Sequence, residues 1–336
     1  MKAIAITNIG IEDISAKEIK EIIKADCKIN KGFLTFEAEQ KDLIKLCYLS
    51  QSITKLLLVP EDINEWIKGK TFAIRGKKEA TEQIAKKIKG KVDLKNPDIE
   101  FYALDEKHFG IDLTGEDLGK RDYRIFLGPE SIKGNLAYAL VRLSDYNTDK
   151  MLLDPFCRDG AIPIEAALYA AKFSPHYFKK DKFNFLKIFP ETKLESLDKQ
   201  KKIETSINAA DFKITNVNAA KKNAKIAGVN KNINFSKIQT NDLELKFQEN
   251  SIDCIATIIP YLGKSSDKKI NEVYKEIFYQ AEYILNKKGK IVLLTRPQRE
   301  EIIKKKAKEH KFKLEENRMV MKGKEKWKIL IFTCFS

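Results

Sequence analysis

The sequence predicts an α/β protein whose C-terminal half is a doubly wound parallel sheet closed by an antiparallel hairpin. From about residue 150 onward, apolar strand-like runs end near Phe156, Ala210, Gln239, Ile259 and Thr295, and helical stripes fall between them at 161–173, 214–227, 270–285 and 298–309. Regular β–α alternation at this spacing implies crossover connections, hence parallel strands with helices on both faces. The tail breaks the pattern. Phe312 to Lys322, a Gly-Lys-Glu turn, and Trp327 to Phe335 read as two strands with no helix between them. Ahead of all this, the first 115 residues alternate shorter strands and helices, which predicts smaller α/β modules.

Each element has a local reason. Ala3 to Thr7 and Gly32 to Glu37 alternate with period two, while Ile14, Ile19, Ile22 and Ile23 follow a helical stripe. Leu43, Ile44, Leu46 and Cys47 start a second helix. Leu56 to Val59, Thr71 to Arg75, Ile99 to Leu104 and Phe109 to Leu113 read as strands. The helix between them, Glu79 to Lys89, turns Ile84, Ala85 and Ile88 inward and lysines outward. A charged connector precedes a helix over Ile132 to Leu143. The helix over 270–285 gathers Ile270, Val273, Tyr274, Ile277, Phe278, Ala281, Ile284 and Leu285 on one face, and Gly228 and Gly289 stand where helices should stop. The domain boundaries expected are 1–50, 51–115, a connector with its helix at 116–149, and 150–336.

Composition narrows the classes. Lys and Arg number 63 against 48 Asp and Glu, a net charge of +15. That excess suits a polyanionic partner such as nucleic acid, and equally suits a lysine-rich coat on ordinary helices. No window approaches the ~18 apolar residues that cross a bilayer, and the first residues read as a strand rather than a leader, so a cytoplasmic protein with no membrane partner is expected. The five cysteines are scattered without a CxxC pair and the three histidines are isolated, which leaves disulfide frameworks, metal sites and His-based nucleophilic chemistry without material.

Two segments carry chemistry. Met151 to Ala167 (MLLDPFCRDGAIPIEAA) runs from an apolar strand through an acidic residue and a tight glycine turn into a helix. Ser251 to Gly263 (SIDCIATIIPYLG) is a buried-looking strand that ends in Pro260-Tyr261. The first resembles the cofactor loop of S-adenosylmethionine-dependent methyltransferases and the second their target-base loop. Phe72-Ala73-Ile74-Arg75-Gly76 is similar to the signature of the THUMP RNA-binding module, and Ile111 to Arg124 to the connector that follows it. With these matches in order, the chain resembles the THUMP-domain RNA methyltransferases over nearly its whole length.

The resemblance implies a class I, Rossmann-like methyltransferase domain behind N-terminal ferredoxin-like and THUMP modules. It also implies S-adenosylmethionine as cofactor, tRNA as partner, and methylation of a guanine N2 amine. Its cofactor residues map onto Asp154, Phe156, Cys157 and Gly160 of the first loop. Asp211, at the end of the second strand, is placed to take the ribose hydroxyls, and can also be read as an acid at a helix start. Asp242, or Asn241, follows the third strand and could accept from the adenine amine. At the target loop, Ile258, Pro260 and Tyr261 occupy the family's catalytic positions.

Two departures bear on mechanism. The family's Cys-Gly-Ser-Gly is here Cys157-Arg158-Asp159-Gly160, which puts an arginine where a positive φ costs about 1 kcal/mol or more and its side chain must leave the pocket. Ile258 and Ile259 replace an acceptor side chain and a proline, and an isoleucine cannot pair an amine hydrogen; Leu262 adds a residue before Gly263. Pro260-Tyr261 reads equally as plain strand termination. The alternative function is a lapsed methyltransferase that binds RNA or a partner protein. Arg75, Lys77 and Lys78 after a strand, and Lys120, Arg121 and Arg124 in the connector, are the candidate RNA contacts, against solvated boundary charge. The Phe178–Phe185 stretch, aromatics among lysines, fits RNA stacking or a loop pinned by its phenylalanines.

Overall fold

Eight strands within the first 112 residues share one sheet: β1 (Lys2–Thr7), β2 (Lys28–Asn30), β3 (Phe33–Glu37), β4 (Ile53–Val59), β5 (Thr71–Gly76), β6 (Lys91–Val92), β7 (Ile99–Ala103) and β8 (Phe109–Asp112), in the order β2-β3-β1-β4-β8-β7-β5-β6. The computed structural model describes residues 1–128, 130–198, 204–261, 263 and 267–334. The chain forms two units, Met1–Lys120 with Ser174–Lys199, and Arg121–Phe173 with Gln200–Ser336. In the first unit β4 pairs with β1 on one side and β8 on the other, so strands from both sides of residue 50 belong to one sheet.

Alternation puts Ala3, Ala5, Leu34, Leu56, Leu58 and Phe101 into the core of this unit, where Ile19, Leu43 and Leu46 meet them from helices Glu12–Ile23 and Gln40–Leu49. The helix expected over 79–89 stops at Ala85, and the short β2 and β6 were not expected. The same core takes Phe183, Phe185 and Leu194 from the later segment, whose Phe183 and Phe185 rings stack at 5.0 Å. Each such ring contributes about 1.5–3 kcal/mol by burial. The phenylalanines therefore pin this stretch; Phe178 alone among its three is exposed, at 64%. The Asp112-x-Thr114-Gly115 motif has a structural use. Asp112 is fully buried, accepts from the N–H and hydroxyl of Thr114 (2.9 and 2.6 Å), and pairs with Lys55.

The second unit holds the sheet that the alternation predicts: β9 (Leu152–Asp154), β10 (Ile207–Asp211), β11 (Ile233–Lys237), β12 (Ile252–Ile258), β13 (Leu285–Thr295), β14 (Phe312–Lys322) and β15 (Glu325–Cys334), in the order β11-β10-β9-β12-β13-β15-β14. Pairing is parallel from β11 to β13 and antiparallel at β13/β15 and β14/β15. The chain winds outward from β9 to β11 and then resumes on the other side at β12, so strand order reverses between β9 and β12. Ligands of such sheets bind at that reversal, beyond the carboxyl ends of the strands.

Helix Asp267–Ile284 buries Ile270, Tyr274, Ile277, Phe278, Ala281 and Ile284 against this sheet's core. Gly289 does not stop it. β13 begins at Leu285 directly after the helix, and a Cβ on Gly289 would stand 2.6 Å from Leu285 Cγ, so the glycine serves a close approach inside the strand. Among the described residues no helix is long and apolar enough to cross a membrane.

Candidate active site

The first loop follows β9. Leu152 and Leu153 are fully buried, and Asp154 ends the strand with Oδ1 accepting from the Thr257 hydroxyl (2.6 Å) and the Phe156 N–H (3.2 Å). Burial disfavours its charged form and pushes the Asp154 carboxyl up to about 7, against the Thr257 bond and the Arg158 charge. Asp154 thus ties β9 to β12. Cys157 is buried as well, its thiol pushed well up by burial. Gly160 has φ +83, and a Cβ there would fall 2.8 Å from Ala220 Cβ on helix Ile214–Ile226. Its glycine is required by helix packing.

A cleft of about 960 Å³ opens beyond β9, β10, β11 and β12. From the first loop it is lined by Phe156 and Arg158, whereas Asp154, Cys157 and Gly160 are not on its wall. Asp154 and Gly160 shape the turn through hydrogen bonds and packing.

Arg158 adopts φ +48, the left-handed conformation that the family's glycine suggests. Its side chain stays in the cleft rather than leaving it. Nη1 donates to the carbonyls of Phe156 (3.0 Å) and Ile258 (2.5 Å), and Nη2 pairs with Glu130 Oε2 at 2.9 Å. The arginine therefore joins the first loop to the end of β12.

At the end of β10, Asp211 lines the cleft and is almost fully buried. Its Oδ2 accepts from the Arg158 N–H (3.2 Å) and Asn216 Nδ2 (3.0 Å), and Oδ1 accepts from the Lys213 N–H (2.9 Å). Phe212 beside it is half exposed on the cleft wall, with the Lys213 ammonium 5.3 Å from its ring centre. After β11 the wall is formed by Gln239, Thr240 and Asn241. Asp242 is not part of it, because it closes a 3-10 turn and leads into helix Leu243–Lys246; of the two residues considered, Asn241 faces the cleft.

Beyond β12, Ile258 and Ile259 are buried and Pro260, Tyr261 and Gly263 line the cleft. Ile258 presents its carbonyl to Arg158 and keeps its side chain in the apolar interior, so its side chain is not a wall residue. The loop's backbone is held at several points. Tyr274 Oη donates to the Pro260 carbonyl (2.7 Å), and Arg299 donates to the carbonyls of Tyr261 (3.2 Å) and Gly263 (3.0 Å). The guanidiniums of Arg296 and Arg299 each stand 5.0 Å from the Tyr261 ring centre. Leu262 lies outside the described residues.

Sequence reasoning missed Glu130, Phe212, Tyr274, Arg296 and Arg299. Phe212 had a signal in its place directly after Asp211; the others come from distant elements and had none. The connector arginines have acidic partners. Arg121 is buried in an ion pair with Glu165, Nε to Oε1 2.8 Å, and the Arg124 side chain is 12% exposed beside Asp159. Arg75, Lys77, Lys78 and Lys120 are exposed, Arg75 with its guanidinium on the Leu94 carbonyl (2.6 Å).

The wall suits a nucleoside bearing a sulfonium. Glu130, Asp211, Glu272 and Glu276 oppose Arg158, Lys213 and Lys269, which leaves room for one positive charge. Asp211 offers carboxylate oxygens to vicinal hydroxyls, and Phe212 offers an aromatic face to a purine. The donor set fits S-adenosylmethionine.

The RMKL-like methyltransferase domain family (UPF0020) matches residues 121–326. The chain is similar to the tRNA (guanine(6)-N2)-methyltransferase of Methanocaldococcus jannaschii, 33% identical over 342 residues that cover 85% of this chain and 88% of that protein. It is also similar to the tRNA (guanine(6)-N2)-methyltransferase of Archaeoglobus fulgidus, 29% identical over 203 residues, 47% of this chain and 51% of that protein. A protein described as a methyltransferase and crystallised with SAH shares the fold, with a TM-score of 0.75 and 20% identity over 100% of this chain and 98% of its own. With a family match spanning most of the second unit and an archaeal relative aligned over most of both chains, the protein belongs to the RMKL-like methyltransferase-domain family.

Proposed function

We propose that the protein methylates the exocyclic N2 amine of a guanosine in tRNA, with S-adenosylmethionine as the cofactor. The observation that carries this reading is the cleft at the strand-order reversal, where Asp211 and Phe212 after β10 share one wall system with Pro260 and Tyr261 after β12. Bound there, the cofactor supplies an activated methyl group on sulfur. The protein's part is placement. Asp211 holds the ribose, Phe212 covers the adenine, and the Tyr261 ring carries the target base. The carbonyl bonds from Tyr274 and Arg299 fix the loop on which that ring stands. Aromatic stacking is the usual means of holding a base taken out of its helix.

The substrate assignment draws on the archaeal relatives, whose names specify a tRNA guanine amine. For the first unit we take residues 51–115 as a THUMP module and 1–50 as its ferredoxin-like partner, with Arg75, Lys77, Lys78 and Lys120 as phosphate contacts that position tRNA without reading its sequence.

The test is transfer of label from methyl-labelled S-adenosylmethionine to archaeal tRNA, followed by nuclease digestion and chromatography of the nucleosides. Label in N2-methylguanosine is expected. Label confined to another nucleoside would replace the guanine assignment, and no transfer by protein that binds the cofactor would favour the lapsed enzyme.

A further inference from the structure

We propose that the Arg158–Glu130 ion pair is the receptor for the amino-acid end of the cofactor, an inference that rests on the S-adenosylmethionine reading above. Both residues line the cleft, and their charged ends meet at 2.9 Å with side chains 9% and 23% exposed. The guanidinium is held in place along one edge by the carbonyls of Phe156 (3.0 Å) and Ile258 (2.5 Å). Those bonds fix where its charge stands, whatever Glu130 does.

The position relative to Asp211 matches the connectivity of the ligand. The backbone N–H of Arg158 donates to Asp211 Oδ2 at 3.2 Å, so the residue that offers the cation is also bonded to the carboxylate offered to the ribose. In the cofactor the ribose C5′ and the amino-acid chain are joined through the sulfur. A group seated on Asp211 by its ribose therefore carries its amino acid toward neighbouring wall residues, of which Arg158 and Glu130 are a charged pair.

An α-amino acid bears a carboxylate and an ammonium on one carbon. An opposed Arg–Glu pair is its complement: the ligand carboxylate takes the guanidinium, and the ammonium takes the released Glu130 carboxylate. Two charges enter and two are already present, so no charge is left unpaired in the cleft, which is what makes charge burial tolerable. Guanidinium–carboxylate pairing is also among the stronger charge-assisted contacts. The glycine expected at position 158 could make none of these bonds through a side chain. The arginine that looks like an obstruction thus becomes a ligand-binding side chain.

The test compares two ligands by calorimetry on the full chain: S-adenosylhomocysteine, and 5′-methylthioadenosine, which keeps the nucleoside and thioether and lacks the amino acid. Arg158→Ala and Glu130→Ala should each weaken S-adenosylhomocysteine roughly tenfold to a hundredfold, the loss of one charge-assisted contact, and leave methylthioadenosine unchanged. Arg158→Lys should recover part of the loss. Methylthioadenosine binding also certifies that each variant retains its folded cleft. Tighter S-adenosylhomocysteine binding by Arg158→Ala would show that the side chain obstructs the site, and equal losses for both ligands would show that it only shapes the loop. Either result overturns the proposal while leaving the cofactor reading intact. If the wild type binds neither ligand, the cofactor reading falls and this inference with it.

Discussion

The Arg121 guanidinium grips the Glu165 carboxylate with two bonds, Nε to Oε1 at 2.8 Å and Nη2 to Oε2 at 3.0 Å, with both side chains shut off from water. The Tyr123 hydroxyl donates to the same carboxylate at 2.8 Å. Gly134 makes the space: a Cβ there would stand 2.4 Å from both Arg121 Nε and Glu165 Oε1. The connector and the helix after the cofactor loop are thus clasped by one buried cluster. Arg121→Ala should cost about 3–5 kcal/mol, the usual result of stripping the partner from a buried charge. The measurement is urea unfolding followed by the fluorescence of Trp327, which is buried in the same unit. An unchanged midpoint would contradict it.

Asp211→Ala should weaken S-adenosylhomocysteine roughly tenfold to a hundredfold, the value of one charge-assisted contact. Isothermal calorimetry reads this directly. Unchanged affinity in the folded variant would move the ribose site elsewhere.

Asp154 gives a pH signature. Its folded carboxyl is raised to about 7 from 3.8, so between those values the folded state holds a proton that the unfolded chain has released. The sign is therefore that its contribution to stability declines as pH rises from about 4 to 7 and levels off above that, a total of order 4 kcal/mol. Asp154→Asn, which still accepts from Thr257, removes this slope. The variant should gain on the wild type as pH rises from 5 to 8, and parallel stability profiles across that range would refute the assignment.

The target loop separates two kinds of change. Ile258→Asn puts an amide where the side chain is buried and the carbonyl is already bonded to Arg158, and should lower stability by about 1–3 kcal/mol without raising methyl transfer. Tyr261→Ala should lower transfer about tenfold or more through lost stacking, while Tyr261→Phe keeps most of it. A rate increase in Ile258→Asn would show that its side chain can reach the base.

RNA affinity should be salt-dependent through the first unit. Alanine at Lys77, Lys78 or Lys120 should each reduce the slope of log affinity against log salt by about one. Filter binding of tRNA between low and physiological salt measures it, and slopes that match the wild type would place the contacts on other residues.

The fold was legible because its signals are local. The strand ends and helical stripes of the second unit follow from period and length alone, and so does the break into a hairpin. Asp211 was legible for the same reason, as an acid at a strand's end. Arg121 was not: in sequence it is one more cation in a charged stretch, and its burial depends on Glu165, 44 positions later. Arg158 was half legible, since the cost of its backbone conformation follows from the glycine it replaces, but its partners Glu130 and Ile258 are 28 and 100 positions away. Gly289 misled because a glycine after a helical stripe marks a helix stop far more often than a tight strand crossing.

The segment after Phe173 has a bearing on how the chain is made. Phe183, Phe185 and Leu194 belong to the core of the first unit, yet they are translated after β9 and the helix that follows it. A ribosome releasing this chain from its N-terminus cannot finish that unit until residue 194 has emerged, by which time part of the second unit is already outside the exit tunnel. The first unit therefore closes only after a stretch of the second has been made, and a fragment cut after residue 120 would leave three core positions empty.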